Sequence, residues 1–341
     1  MSLVQLGLEH TDAILALLQT SWRSQFSTGT YPVFSRRYLD WVYGGPHARD
    51  NVLLGYEAGG RLVGFRAMLF RSVAVHGTTT RAHISTHLAV DPGLPRSSRI
   101  DAVAALSEVY SYVHPSTDSD ASDSGHLDTL VSFFDEASEF RRYQQATATR
   151  LASAGVARVK IRFQPAIVHV SRVRACLARH AASVPDIGIA SPDDADALAE
   201  LFAARGRGRD VFVTVSPDWV RHHLFGFDDS RVYVSRQDGA LTGCVSCYAL
   251  DTLAGDNIRR VVIIEYLLAS SPASAAALVA ETLGFADEQG ARGVVLENST
   301  YLSAELCSEV GLMPSLRRMV AAVACRSVPV GTLADLLLDV K

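Results

Sequence analysis

The chain has 341 residues, 32 Lys and Arg against 36 Asp and Glu, and a formal net charge of −4. That balance speaks against a DNA or RNA binder working through a basic surface. No apolar run approaches the roughly 20 residues that span a bilayer, so no membrane segment is expected. The length fits two domains, each able to bury a core.

The first residues lack the basic stretch of a secretory signal. Cys176, Cys244, Cys247, Cys307 and Cys325 all sit in apolar segments, as in a reduced, cytoplasmic protein. Cys244 and Cys247 have C-x-x-C spacing on a predicted strand, where positions three apart face opposite ways. No metal is expected there.

In chain order, a strand over Val4–Leu8 precedes a helix over Asp12–Trp22. Val52–Glu57 and Leu62–Phe70 are apolar runs joined by Ala58-Gly59-Gly60-Arg61, a hairpin signal. A third strand is predicted over Ser72–Val75 and, across His76-Gly77, a fourth over Ala82–Val90, closed by Asp91-Pro92-Gly93-Leu94-Pro95. A helix follows from Ser98 to Val113. The polar stretch 114–126 reads as a surface loop; Asp118, Asp120 and Asp123 lack the spacing and closing Glu of a calcium loop. Leu130–Phe134 is the next strand, Glu139–Ser153 a helix ending at Gly155, and Val156–Val170 is strand-rich.

The pattern then starts again. Ile187–Ala190 and Pro192–Ala204 repeat the opening strand and helix, and Val232–Arg236 with Leu241–Leu250 repeat the hairpin. Arg260–Ala269 matches the fourth strand. Pro272 opens a helix, Val294–Glu297 is a strand, Ala304–Glu309 a helix, Arg317–Arg326 a strand and Gly331–Val340 a tail helix. Asp40-Trp41 and Gly60-Arg61-Leu62-Val63-Gly64 in the first copy answer Asp218-Trp219 and Gly239-Ala240-Leu241-Thr242-Gly243 in the second. A duplicated order implies two similar α+β folds in tandem, with a cleft between them. The expected division is 1–170, a linker over 171–186, and 187–341.

The order of elements, with the run from His87-Leu88-Ala89-Val90-Asp91-Pro92 to Arg96-Ser97-Ser98-Arg99-Ile100-Asp101, resembles the GNAT superfamily of N-acyltransferases. The repeat resembles the tandem plan of N-myristoyltransferase-like and Fem-like proteins. In that family the fourth strand is followed by a phosphate-binding loop at a helix N-terminus, where backbone N–H groups meet an anion. The resemblance implies that Leu88, Ala89 and Val90 offer backbone to an acyl donor. It also implies that Arg96, Ser97, Ser98, Arg99, Ile100 and Asp101 hold the pyrophosphate of acetyl-CoA or another acyl-CoA. Arg96 matches the first motif position, while Arg99 and Asp101 replace small residues. Ser98 with Asp101 also reads as a capping box. The second copy, Ala269-Ser270-Ser271-Pro272, keeps no such loop.

Acyl transfer to an amine needs a base. His87 lies on the fourth strand, and an imidazole suits proton transfer near neutrality. His83 is about 13 Å away along an extended strand, so the two cannot chelate one metal. Glu265 occupies the matching position in the second copy, beside Tyr266, with Arg259 and Arg318 as candidate partners. The family acid, a Tyr before the Gly that ends the last helix, would fall at Leu151 or Cys307. Arg205-Gly206-Arg207-Gly208-Arg209 is a cationic segment suited to an anionic partner. Three functions remain open: transfer from acyl-CoA to a small-molecule amine; transfer from an acyl-carrier protein or aminoacyl-tRNA; or non-catalytic ligand binding on the same fold.

Overall fold

The computed structural model describes residues 2–25, 30–107, 129–135, 157–325 and 332–339. The first half comprises β1 (Ser2–Leu6), α1 (Thr11–Gln25), β2 (Thr30–Val33), α2 (Arg36–Tyr43), β3 (Val52–Ala58), β4 (Arg61–Val75), β5 (Thr78–Val90), α3 (Arg96–Ser107), β6 (Thr129–Asp135), β7 (Ala157–Phe163) and β8 (Ala166–Val168). Then come α4 (Val170–Arg179), β9 (Asp186–Ile189), α5 (Ala195–Gly206), β10 (Val211–Val213), α6 (Pro217–Phe225), β11 (Ser230–Gln237), β12 (Ala240–Ala254) and β13 (Asn257–Leu268). The chain ends with α7 (Pro272–Glu288), β14 (Val294–Leu296), α8 (Ala304–Glu309), β15 (Leu312–Pro314), β16 (Met319–Cys325) and β17 (Leu336–Leu337).

Two mixed sheets result, one of nine strands and one of eight. The first runs β1-β3-β4-β5-β6-β16-β7, and the second β15-β8-β14-β13-β12-β11-β9. They trade strands both ways. β16 lies between β6 and β7, and β8 lies between β14 and β15. β2 pairs with β12, while β10 pairs with β4. β2 and β10 are counterparts, each followed by a helix whose N-cap serine, Ser35 or Ser216, accepts the N–H three residues on. None of these exchanges was predicted, because nothing local to a strand says which sheet it joins.

The repeated residues serve the joint and the packing. Trp41 and Trp219 are buried on α2 and α6. Trp41 Nε1 donates to the His222 carbonyl at 3.1 Å, and His222 Nε2 lies 2.9 Å from the Trp41 carbonyl. Gly64 and Gly243 are glycine because neighbours crowd each, a helix at Gly64 and chiefly the adjoining strand at Gly243. A Cβ at Gly64 would sit 3.1 Å from Leu106 of α3, and one at Gly243 would sit 2.6 Å from the Leu268 carbonyl and 3.2 Å from Ser274 of α7.

A single apolar cluster joins Val73, Ile84 and Val131 of the first sheet to Phe202, Trp219, Val234 and Tyr266 of the second half. The halves thus share a core. The segment expected as a linker starts with α4, which packs on α7 and buries Val173 and Cys176 in the second sheet's core.

Three elements differ from expectation. The runs predicted as separate strands over 62–70 and 72–75 are one strand, β4. Arg71 does not break it because its guanidinium is paired with Asp339, and Ser72 bonds Thr214. α3 begins at Arg96, so Ser98 and Asp101 lie inside the helix and form no capping box. The tail is extended rather than helical, because Leu336 bonds sideways: its carbonyl accepts from Asn298 and its N–H donates to Thr300 Oγ1. Residues 114–126, Tyr143, Leu151 and the helix predicted over 139–153 lie outside the described residues. Among the described residues no helix is long and apolar enough to cross a membrane.

Candidate active site

In the first sheet, β5 pairs antiparallel with β4 and parallel with β6. Thr86 faces Ala67 and Ala89 faces Phe65, so His87 and Leu88 together oppose only Arg66. This is a bulge, which bends a strand and releases backbone groups from the ladder. His87 has φ 52°, the left-handed region that a non-glycine residue adopts at a cost of roughly 1–3 kcal/mol. The other such residues among those described, His76 and Asp238, sit in hairpin turns. The β5–β6 pairing ends at Ser85–Ser132, just before the bulge, and the strands part.

A cavity of about 600 Å³ opens at this parting. Its first-sheet wall is Arg66, Ser85–Leu88 and Phe133–Asp135. Trp22, Phe34 and Tyr38 come from α1, the β2–α2 turn and α2. Tyr248, Leu250, Ile263, Val295 and Glu297 form the wall from the second sheet. His87 is buried, with Phe34 edge-on at 4.9 Å, and its Nδ1 lies 2.8 Å from the Tyr43 hydroxyl. Burial holds that hydroxyl proton well above the ordinary tyrosine range. Arg66 donates from Nε to Ser85 Oγ and from Nη1 to the Leu106 carbonyl at the end of α3. Arg317 pairs with Asp135 at 3.1 Å.

The second sheet repeats the device and then closes it. β13 pairs parallel with β14 as far as Ile264–Leu296, and the β12–β13 register jumps at Ser246/Cys247, opposite Glu265. Here the space is filled. Tyr301 Oη accepts from the Leu267 N–H, and Leu333 and Leu336–Asp339 are buried against Asn298 and Thr300. Glu265 does not reach the cavity. It is buried and meets His223 Nε2 at 3.0 Å, not Arg259 or Arg318. His223 stacks on Trp219 at 4.0 Å and lies 3.9 Å from Asp339, which Arg71 grips. Tyr266 is a core aromatic whose hydroxyl is buried without a hydrogen-bond partner. Glu265→Gln is therefore expected to lower the melting temperature, measurable by scanning calorimetry.

The other predicted residues scatter. Leu88 lines the cavity, and its carbonyl accepts from Trp22 Nε1 at 3.3 Å. Ala89 and Val90 are core, and the Val90 N–H donates to Ser21 Oγ at 3.2 Å. Arg96, Ser97 and Asp101 are exposed on α3, whereas Ser98, Arg99 and Ile100 are half-buried. The first turn of α3 holds no acid, and Arg99 Nε is buried without a hydrogen-bond partner. Asp91 accepts from the Gly93 N–H and pairs with Arg61.

In the Arg205–Arg209 segment two of the three arginines are engaged within the fold, and Arg207 is exposed. Arg205 donates to the Thr242 carbonyl, and Arg209 pairs with Asp335 at 3.1 Å. Burial raises the Cys307 thiol and pushes those of Cys244 and Cys247 up to about 12, which makes them poor nucleophiles and ligands. Tyr43, Arg66, Tyr248 and Glu297 were not singled out from the sequence. Glu297 carried the one available signal, an acid ending an apolar strand.

Two linked sheets, each with a bulged strand, a parting parallel neighbour and an intervening helix, define the tandem GNAT-like fold. Saccharomyces cerevisiae N-myristoyltransferase with bound myristoyl-CoA superposes with a TM-score of 0.69 at 12% identity, covering 98% of this chain and 84% of that one. A conserved protein of Enterococcus faecalis V583, described as a probable N-acyltransferase, gives 0.57 at 11% identity over 96% of this chain and 72% of its own. A GCN5-related N-acetyltransferase from Kribbella flavida gives 0.51 at 16% identity over 96% and 71%. These are likenesses of fold. No protein-family model and no curated protein sequence matches the chain.

Proposed function

We propose that the chain is an acyltransferase that moves an acyl group from acyl-CoA to the amine of a small molecule. The supporting observation is the asymmetry of the two partings: the first opens into a cavity at a bulge carrying a histidine, while the second is filled by residues 333–339. The first half would take the donor, and the second sheet would shape the acceptor side. An acyl-CoA fits what α3 offers, a helix N-terminus with Arg96 and Arg99 and no acid in its first turn. The donor arm would replace the contacts of Trp22 and Ser21 with the Leu88 carbonyl and Val90 N–H.

In this reading the bulge backbone polarises the thioester carbonyl. The amine nitrogen bonds to the carbonyl carbon as the carbon–sulfur bond breaks. His87 takes the amine proton, and the coenzyme leaves as a thiolate that is then protonated. With its own proton on Nδ1, shared with Tyr43, the imidazole presents Nε2 as the base. A carrier protein or tRNA as donor has less support, because Arg205 and Arg209 are already engaged within the fold.

Titration calorimetry with acetyl-CoA and longer acyl-CoAs tests the donor. Binding by none of them overturns the reading. Arg96→Ala combined with Arg99→Ala is expected to weaken acyl-CoA binding by about 10-fold or more, and by less at high salt.

A further inference from the structure

Among the described residues two groups bring together three side chains of the types that ligate metals. His223, Glu265 and Asp339 are buried at the joint between the sheets, where Arg71 already neutralises Asp339. The other group is Cys176, His180 and Glu309, and none of its members lines the cavity. One ligand atom from each of the three lies within 4.8 Å of the other two.

Local structure explains the meeting. Cys176 and His180 stand one helical turn apart, and the His180 N–H still donates to the Cys176 carbonyl at 3.1 Å, so the two side chains share a face. Glu309 ends α8, and its Oε1 lies 2.8 Å from His180 Nε2. Cys176 is fully buried, whereas the imidazole and the carboxylate are 34% and 32% exposed, which leaves the group open to an ion from solvent. The backbone behind it is fixed. The His169 N–H donates to the Gly311 carbonyl at 2.8 Å, Val168 pairs with Leu312, and Val173 and Val310 are buried in one cluster. A preformed frame of this kind is what a metal site needs.

A cation already attends these groups. Arg179 lies 4.0 Å from Glu309 Oε1 and donates to the Glu309 carbonyl at 3.4 Å. Burial raises the Cys176 thiol above its ordinary value, and Arg179 offsets part of that rise. The Arg179 side chain is 60% exposed, and a surface pair of this kind holds weakly, so it can yield to a divalent ion.

We propose that Cys176, His180 and Glu309 bind a zinc ion that fastens the end of α4 to α8, with water in the fourth position. A thiolate, a neutral imidazole and a carboxylate are the sulfur, nitrogen and oxygen donors zinc takes, and their two negative charges match its two positive ones. Magnesium and calcium favour oxygen donors alone. Neighbouring donors around tetrahedral zinc stand roughly 3.3–3.5 Å apart, so the contact between imidazole and carboxylate opens by about half an ångström. The thiol proton leaves to water as the zinc–sulfur bond forms. The site lies outside the cavity, and its role is to hold α4 against the second sheet.

Titration of the full chain with cobalt(II) and zinc(II), after removal of bound metal by a chelator, tests this. Cobalt is expected to give the visible bands of a tetrahedral site and a near-ultraviolet thiolate-to-cobalt band, saturating at one ion per chain and lost when zinc is added. Zinc is expected to raise the melting temperature. Cys176→Ser is expected to lose the thiolate band. Glu309→Gln, a change of the same shape at a half-exposed position, is expected to weaken zinc binding by more than about 100-fold, beyond what loss of an outer partner costs. Cys307→Ser, which removes the thiol of α8, is expected to keep both the band and the affinity. The proposal is overturned by a wild type without the thiolate band, by a band that survives Cys176→Ser or is lost in Cys307→Ser, or by unchanged zinc affinity in a folded Glu309→Gln.

Discussion

His87→Ala is expected to lower turnover by about 100-fold or more, the usual contribution of a general base, with acyl-CoA affinity almost unchanged. The position makes this test unusually clean. His87 sits at φ 52°, where alanine is strained as well and glycine is not. His87→Gly removes the imidazole and relieves the backbone together. If the histidine is the base, both variants lose turnover alike, and the glycine variant is the more stable. If the alanine variant fails through strain alone, glycine restores activity and the assignment is lost. Tyr43→Phe keeps the ring but removes the hydroxyl 2.8 Å from Nδ1. It is expected to lower kcat less than His87→Ala and to displace the pH–rate profile, which a packing defect alone would not do. Intact turnover in His87→Ala, with loss of all activity in Glu265→Gln, would move the chemistry to the second half and overturn the assignment.

What could be read in the sequence follows from how far each signal reaches. The repeat was legible because Trp41 and Gly64 recur at matching places as Trp219 and Gly243, although the contacts behind them are distant in sequence: Trp41 donates to the His222 carbonyl, Gly64 lies under Leu106 and Gly243 against the Leu268 carbonyl. The matching positions of His87 and Glu265 were read from the same repeat, and each sits at a register jump, His87 in β4–β5 and Glu265 in β12–β13. Their fates were not legible. Whether a parting of strands stays open depends on what reaches it from elsewhere, and in the second sheet that is the segment 333–339. That segment was read as a helix because Leu333, Leu336 and Leu337 suit one; Asn298 and Thr300 supply backbone partners that no local pattern announces. Likewise Tyr43, Arg66 and Glu297 reach the cavity from three different elements, and their meeting is a property of the tertiary fold.

Asp339→Asn is expected to destabilise the fold by about 3–5 kcal/mol at neutral pH, the cost of breaking a buried ion pair from one side. Asp339 is 1% exposed, and its carboxylate accepts from Arg71 Nη2 at 2.5 Å and Nε at 3.1 Å. Arg71 lies on the first sheet and Asp339 on the last described segment, while His223 and Glu265 flank the carboxylate from the second half. The cluster therefore fastens the segment that fills the second parting to both sheets. Removing both charges at once, by Arg71→Met with Asp339→Leu, is expected to cost less than either single change, because no uncompensated charge stays behind. The pH dependence has a definite sign. Burial alone would raise the Asp339 carboxyl, but Arg71 and then His223 more than offset it and hold it below its ordinary value of 3.8. Its contribution is then complete above that value and disappears as the pH falls through the lower, folded value. Denaturant melts of wild type and Asp339→Asn are expected to differ fully at pH 7 and to converge only in the acid range below about pH 4. Convergence already near pH 6 would mean that a histidine, not this carboxylate, controls the lock. No difference at pH 7 would mean that the buried pair does not hold the segment in place.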